Sequence, residues 1–336
     1  MLYITTRDNK DAYTVNRCLC ADTAPDGGCF APFHIPTYDT KEIARLKEKA
    51  FAQIVAEILN KFFSSQLTTW DVDFALGKNA SRLDALNHKL AIAELWHNPA
   101  GNFDYAVQQM YKKVAQNNTA APSLWFKIAM RISAIFAVYG QMLNGNLITA
   151  EKTFDISVSA DDFTSLMAAW YARQMGLPVG TIICTYENNN SVWDLIHRGL
   201  FNVCGVDKAL RMGVEQLIHA TLGQDAVMHY LDVCDAGKVY SLDEEQLPML
   251  SKGLFCAVAG NDRREAVINS VFRSNSYIID PFAALAYGGL QDYRARVGES
   301  RTTLLFAERT PLDFSGEISA ATGLSADQLM DYIKLS

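Results

Sequence analysis

Residues 154–185 read FDISVSADDFTSLMAAWYARQMGLPVGTIICT, and this stretch decides the fold. Phe154 to Ser159 alternates apolar and polar residues, the pattern of a half-buried strand. Leu166, Ala169, Trp170, Arg173 and Met175 then fall at helical spacing, and Gly176 stops that helix ahead of Pro178. Val179 to Thr185 reads as a second strand, short and buried. Strand, turn, helix, strand is a βαβ unit of a parallel sheet. Ligands of such sheets gather at the carboxyl ends of the strands, here the turn that holds Ser159, Asp161, Asp162 and Ser165. An anion bound there needs bare N–H groups at a helix start, and glycine for close approach. Asp161 and Asp162 do the reverse. They cap a helix and suit its dipole, but they repel an anion. Taken alone, the turn reads as a capped helix start without a ligand.

The rest of the chain frames this unit. It has 336 residues, of which 49% are hydrophobic and 20% charged, enough for a sizeable core in about two domains. The net charge is −7, and no run of Lys/Arg reaches the density of a nucleic-acid patch, so DNA and RNA are not expected as partners. The N-terminus, MLYITTRDNK, lacks an apolar signal region. Pro122 to Leu143 is the most apolar stretch. It contains Lys127 and Arg131, and its apolar positions form a helical stripe, so it reads as a buried helix and not a membrane span. Seven cysteines, an odd count, point to reduced thiols in the cytoplasm. Cys18, Cys20 and Cys29 lack a CxxC knuckle and a fourth ligand, so no metal is expected.

The first 36 residues hold turns and short strands. Asp39 is expected to start one long helix, with Glu42 completing a capping box and Ile43, Leu46, Ala50, Ile54, Ile58 and Phe62 on its buried face. Leu83 to Gly101 is read as a connector into a strand at 93–96, and a helix follows from Asp104 to Gln116. Further strands are expected at Phe255–Ala259, Ser276–Ile279 and Thr303–Phe306. Ser241 with Glu244 reads as a capping box, and Pro281 as a first-turn proline. The fold class is α/β with a helical N-terminal part.

Several landmarks, in order along almost the whole chain, give this sequence a resemblance to threonine synthase, a pyridoxal-phosphate (PLP) enzyme of fold type II in the tryptophan synthase β-like superfamily. Tyr3-Ile4-Thr5-Thr6-Arg7, Ala24-Pro25-Asp26-Gly27-Gly28 and Ile35-Pro36 look like its N-terminal signature. Leu95-Trp96-His97-Asn98-Pro99 looks like the strand and loop that lead to its catalytic lysine. Ala172 to Pro178 is similar to a helix end of the family, and Thr185-Tyr186-Glu187-Asn188-Asn189 to its Thr-Asn-Glu-Asn-Asp loop. Tyr277-Ile278-Ile279-Asp280-Pro281 and Pro311-Leu312-Asp313-Phe314 are similar to its C-terminal landmarks. The resemblance implies a threonine-synthase-like fold type II core: a mainly parallel sheet flanked by helices, divided into an N-terminal region (1–92) and a large α/β domain (93–336).

The departures fall on the chemistry. The family has a Schiff-base lysine directly after the phenylalanine that matches Phe103, and here Asp104 follows instead. Lys112 and Lys113 lie roughly 13–15 Å further along a helix, too far to substitute. The family's small, cofactor-clamping domain is expected to be deleted between Asn117 and Pro122. Its phosphate cradle, Ser-Gly-Asn-Phe-Gly-Asn, lines up with Ser159 to Ser165 without either glycine. Its Thr-Ala-His-Pro motif reads Glu308-Arg309-Thr310-Pro311. The resemblance with these losses implies no PLP, although PLP is the ancestral cofactor, and a vestigial cleft. That cleft comprises His97, Asn98, Asn102, Phe103, Asp104, Ser159, Asp161, Asp162, Ser165, Glu187, Asn188 and Glu308.

No partner for His97 can be named, so it reads as a structural histidine bonded to backbone. His34, His88, His197, His219 and His229 show no metal-binding spacing. The expectation is a pseudoenzyme that acts as a binding or assembly module. The alternatives are a divergent lyase acting on phosphohomoserine, or a cleft turned to other chemistry through His97, Glu187 or Asp161 and Asp162. A second copy of the chain or a protein partner is expected on the helix 123–143, and a small-molecule ligand in the cleft. No membrane is expected.

Overall fold

The computed structural model describes residues 1–78, 80–87, 89–116, 120–159, 163–188, 190–298 and 301–335. In a small antiparallel sheet, β1 (Leu2–Thr5) lies between β2 (Tyr13–Thr14) and β3 (Phe30–Pro32), with α1 (Val15–Cys20) following β2. Asp39 and Glu42 form the expected capping box, on α2 (Thr40–Ala44). The single long helix expected there is broken. A 3-10 turn over Arg45–Glu48 and extended backbone at Lys49 and Ala50 separate α2 from α3 (Phe51–Phe63). The break turns the chain so that Ile43 and Leu46 are buried as well as Ile54, Ile58 and Phe62, while Ala50 stays exposed at the bend. Close approach fixes the bend: a Cβ on Gly140 would meet the Leu46 carbonyl at 2.9 Å.

After α4 (Thr69–Leu76), β4 (Arg82–Asn87) and β5 (Leu90–Glu94) form an antiparallel hairpin where a connector was expected. β5 is buried at every residue, so it has no period-two signature to betray it. The 92/93 division runs through this strand. α5 (Phe103–Val114) and α6 (Leu124–Asn144) follow, and residues 115–123 join them. Next come β6 (Phe154–Ser159), α7 (Thr164–Gln174) and β7 (Val179–Glu187), the βαβ unit of the opening stretch.

β6 is buried on both faces, not half-buried. Its polar residues are satisfied inside: Asp155 accepts from the Thr181 amide at 2.7 Å, and the Ser157 hydroxyl donates to the Ala286 carbonyl at 2.8 Å. α7 begins at Thr164 with Phe163 at its N-cap position, in the left-handed region at φ 58. Asp161 and Asp162, expected to cap it, lie outside the described residues.

An outlying helical section holds α8 (Ser191–Arg198), β8 (Leu200–Asn202), α9 (Lys208–Leu222), α10 (Gln224–Asp235), β9 (Val239–Ser241) and α11 (Gln246–Ser251). Ser241 pairs with Leu200 in the β8–β9 ladder, which draws it away from capping. Asp243 takes that place, accepting from the amides of Glu245 and Gln246 at 3.0 and 2.7 Å. The chain ends with β10 (Leu254–Ala259), α12 (Asn261–Asn275), α13 (Pro281–Val297), β11 (Thr303–Ala307), α14 (Ser315–Thr322) and α15 (Ala326–Leu335). The strand expected at 276–279 is a loop; Ile278 and Ile279 bury without a ladder partner as it turns into α13.

The central sheet runs β10-β7-β6-β11-β5-β4, parallel except for β4 at the edge. Helices cover both faces, and one hydrophobic core lies on each side. α6 is the spine of the larger core. It is long and apolar enough to span a membrane, but it is buried among helices. The partner surface expected on residues 123–143 is therefore an interior, because α3 and α7 occupy the faces the helix would have offered.

Candidate functional site

Parallel strands bring their carboxyl ends to one edge, and four of those ends carry polar groups: Glu94 on β5, Ser159 on β6, Glu187 on β7, and Glu308 just past β11. A cavity of about 130 Å³ opens there between β6, β11, α6 and the start of α13. Its polar lining is Arg131, Ser159, Ser165, Asp280, Glu308 and Arg309.

Arg131 organises it. The side chain leaves the buried stripe of α6 and is only 7% exposed as a residue. Its guanidinium donates to Glu308 Oε2 at 2.8 Å and to Ser165 Oγ at 3.2 Å. It also lies over the Phe103 ring at 5.6 Å and reaches within 4.0 Å of Asp104 Oδ1. One residue that the sequence reading left as a charge in an apolar helix thus gathers four of the predicted site residues. The signal was available: an arginine on a buried helical stripe demands an anionic partner.

Two side-chain oxygens of the lining residues are buried beneath its surface and unpaired among the described residues. Ser159 Oγ and Asp280 Oδ2 are buried and have no hydrogen-bond partner among the described residues. The other Asp280 oxygen caps α13, accepting from the amides of Phe282 and Ala283 at 2.9 and 3.1 Å. Burial pushes the Asp280 carboxyl up to about 7; the two backbone bonds and Arg309 oppose the rise, and Glu308 adds to it. Arg309 stacks its guanidinium over Phe282 at 4.4 Å. Sequence reading had quoted Asp280 and Arg309 as landmarks without giving either a role.

The remaining predicted residues divide into two groups. Asn98 donates to the Asn102 carbonyl at 2.7 Å, and Asn102 caps α5 by accepting from the Tyr105 amide at 2.8 Å. Both shape the loop. His97 is not bonded to backbone as expected. Its Nε2 lies 2.6 Å from Glu94 Oε2, its ring stacks on Trp96 at 4.0 Å, and the Tyr277 hydroxyl donates to the other Glu94 oxygen at 2.8 Å. Burial, with Glu94 beside it, pushes the Tyr277 hydroxyl well up, so it stays a neutral donor. The partner was invisible in sequence because it ends the strand that sequence had misplaced.

Glu187 is taken up elsewhere. It accepts from Arg264 at 2.8 Å, and Arg264 also donates to Glu317 at 2.7 Å. Asn188, at φ 51, donates its amide to the Ala259 carbonyl at 3.3 Å. Neither lines the Arg131 cavity.

Among the described residues, no lysine lines the cavity. Lys113 sits outside, 3.8 Å from Asp71 and above the rings of Trp70 and Phe74. Cys18 and Cys29 are buried and Cys20 is exposed, and no metal-binding cluster occurs among the described residues. His197 bonds the Cys256 carbonyl at 2.8 Å, a structural role, and His88 lies outside the described residues.

A mainly parallel sheet covered on both faces, with its polar groups at the carboxyl edge, is the large-domain arrangement of fold-type-II PLP enzymes. Threonine synthase N terminus, as a sequence family, matches residues 2–75. The PLP-bound threonine synthase of Brucella melitensis superposes with a TM-score of 0.81 at 16% identity, over 98% of this chain and 94% of that one, a likeness of fold. Threonine synthase of Pseudomonas aeruginosa is 20% identical over 411 residues, covering 90% of this chain and 87% of its own. Threonine synthase-like 1 of Homo sapiens is 19% identical over 174 residues, 48% of this chain and about a quarter of that protein's length (23%). The chain thus carries the threonine synthase N-terminal sequence over residues 2–75 and is similar to threonine synthases in fold over nearly its whole length.

Proposed function

We propose that this threonine synthase-like chain has given up PLP binding and catalysis and serves as a binding or assembly module. The observation that carries the reading is the Arg131–Glu308 ion pair at 2.8 Å in the cleft. PLP chemistry needs a lysine amine that holds the cofactor and moves protons. Here a guanidinium, which does not deprotonate, is tied to a carboxylate where that amine would be useful. A cavity of about 130 Å³ is also small beside the ~300–1,000 Å³ of ordinary cofactor-sized sites. The residues present do not fit PLP.

Loss of the clamping domain is part of the same proposal. Residues 115–123 alone join α5 to α6, and the alignment with the Pseudomonas relative, at 411 positions, is longer than this whole chain of 336. That relative therefore carries segments without a counterpart here. A cytoplasmic setting, a second copy or protein partner, and a small-molecule ligand complete the proposal.

The test is an absorption spectrum of the purified protein with PLP, before and after borohydride reduction. Free PLP alone is expected. A reduced adduct on any peptide overturns the reading and makes a phosphohomoserine assay the next step.

A second reading, repurposed cleft chemistry, is favoured by the Glu94–His97 contact of 2.6 Å, since a carboxylate-held imidazole is the arrangement of a general base. It requires a turnover that His97→Gln abolishes while leaving the thermal midpoint unchanged.

A further inference from the structure

We infer that α9 is a coupling strut. By gripping Glu215 on one side of it, Thr6 and Arg7 hold Phe163 in its left-handed conformation on the other, and so fix the start of α7, where Ser165 meets Arg131. The inference stands whether or not the cleft binds PLP.

One side of the strut is a buried charge. Glu215 is 2% exposed. Arg7 donates to both of its oxygens, Nε to Oε1 at 3.0 Å and Nη2 to Oε2 at 2.9 Å, and the Thr6 hydroxyl also donates to Oε1. A two-pronged guanidinium contact fixes direction as well as distance. Thr6 and Arg7 are themselves tied down. The Cys29 amide donates to the Thr6 hydroxyl at 3.0 Å, and the Gln224 side chain donates to the Arg7 carbonyl at 2.6 Å.

The opposite side is a bare backbone. Gly213 lies two residues before Glu215, about 200° around a helix of 3.6 residues per turn, so the two positions face away from each other. A Cβ on Gly213 would collide with the Phe163 ring, meeting Cδ2 at 2.6 Å, so the ring is seated directly on α9. Phe163 is 2% exposed and stands at φ 58, a region that is costly for a bulky L residue. Such a conformation persists only where its surroundings hold it. The Phe163 carbonyl accepts from the Met167 amide at 2.9 Å, which closes the first turn of α7. Within that turn, Ser165 Oγ accepts from Arg131 at 3.2 Å. When α9 leaves its Arg7 anchor, the ring loses its seat, Phe163 relaxes to an ordinary conformation, and the first turn opens. The N-terminal segment and the cleft thus act on one two-state residue.

The experiment is amide hydrogen exchange on the full chain, read at Met167, with the buried strand β6 as internal reference. Arg7→Met combined with Glu215→Met removes the pair without stranding either charge. Met167 is expected to exchange at least tenfold faster in this variant, with the β6 amides within twofold of wild type. Arg7→Lys keeps the charge and loses the fork, and is expected to give a severalfold acceleration at the same amide. Asparagine accepts the left-handed region readily, so in a Phe163→Asn background the double replacement is expected to change Met167 less than twofold. The inference is overturned if Met167 gains less than tenfold, if the faster exchange is confined to residues 1–8 and α9, if Met167 and β6 accelerate alike, or if the effect persists undiminished in the Phe163→Asn background.

Discussion

Helix α6 carries two regions that differ in how their polar atoms are treated. Near its start, Trp125 is packed edge-on against Phe62 and Tyr171, at 5.4 and 5.1 Å, and donates to the Tyr3 hydroxyl at 3.2 Å. Tyr3 in turn donates to the Phe62 carbonyl at 2.6 Å. Every polar atom in that chain is used. Two turns later, Arg131 opens onto a cavity where Ser159 Oγ and Asp280 Oδ2 are left over. The first region is scaffold, where hydrogen bonds close on one another inside an aromatic cluster. The second keeps spare polar capacity, which a folded core eliminates unless something else uses it.

Mutations can break or sharpen this contrast. Phe62→Ala should have the largest effect, a loss of ~5 kcal/mol in urea unfolding, because a fully buried aromatic leaves a cavity under Trp125. A loss below ~1 kcal/mol would mean the aromatic cluster is not the scaffold.

Asp280→Asn should act in the opposite direction. The folded-state value of about 7 stands above the ordinary 3.8. The stability linked to this proton is complete below about pH 3.8 and is lost as pH rises through 7. The Asn variant does not titrate, so relative to wild type it should gain with rising pH, on the order of 4 kcal/mol between pH 3 and pH 8. Thermal melts across that range measure it, and a constant difference would show that Asp280 is solvated.

The last two variants remove one hydroxyl from each region. Tyr3→Phe should cost ~1.5 kcal/mol, because it strands both the Phe62 carbonyl and the Trp125 N–H. Ser159→Ala should cost ~0.5 kcal/mol or less, since nothing among the described residues pairs with it. Equal costs in chemical denaturation would erase the distinction between scaffold and site.

The readable parts of the fold are those with strong local signals. The βαβ unit over 154–185, the capping box at Asp39 and Glu42, and Pro281 opening α13 all stand where the sequence puts them. β5 and the bend before α3 escaped. A strand buried on both faces lacks alternation, and the bend depends on Gly140 of a helix that follows much later in the chain. The cleft was read at the level of the edge it occupies. Phe103, Asp104, Ser165 and Glu308 do meet there, but through Arg131, and Glu187 is drawn off by Arg264.

The sequence by itself determined the α/β class, the resemblance to threonine synthase, and the aspartate in place of a lysine after Phe103, because periodicity, caps and residue identity are local properties. Only the tertiary structure decided that Arg131 meets Glu308, that Glu94 holds His97, and that Asp280 and Ser159, each with a buried unpaired oxygen, line one cavity. Those pairings join residues from strands and helices far apart in the chain, and their energies depend on burial and distance, neither of which is written in any single segment.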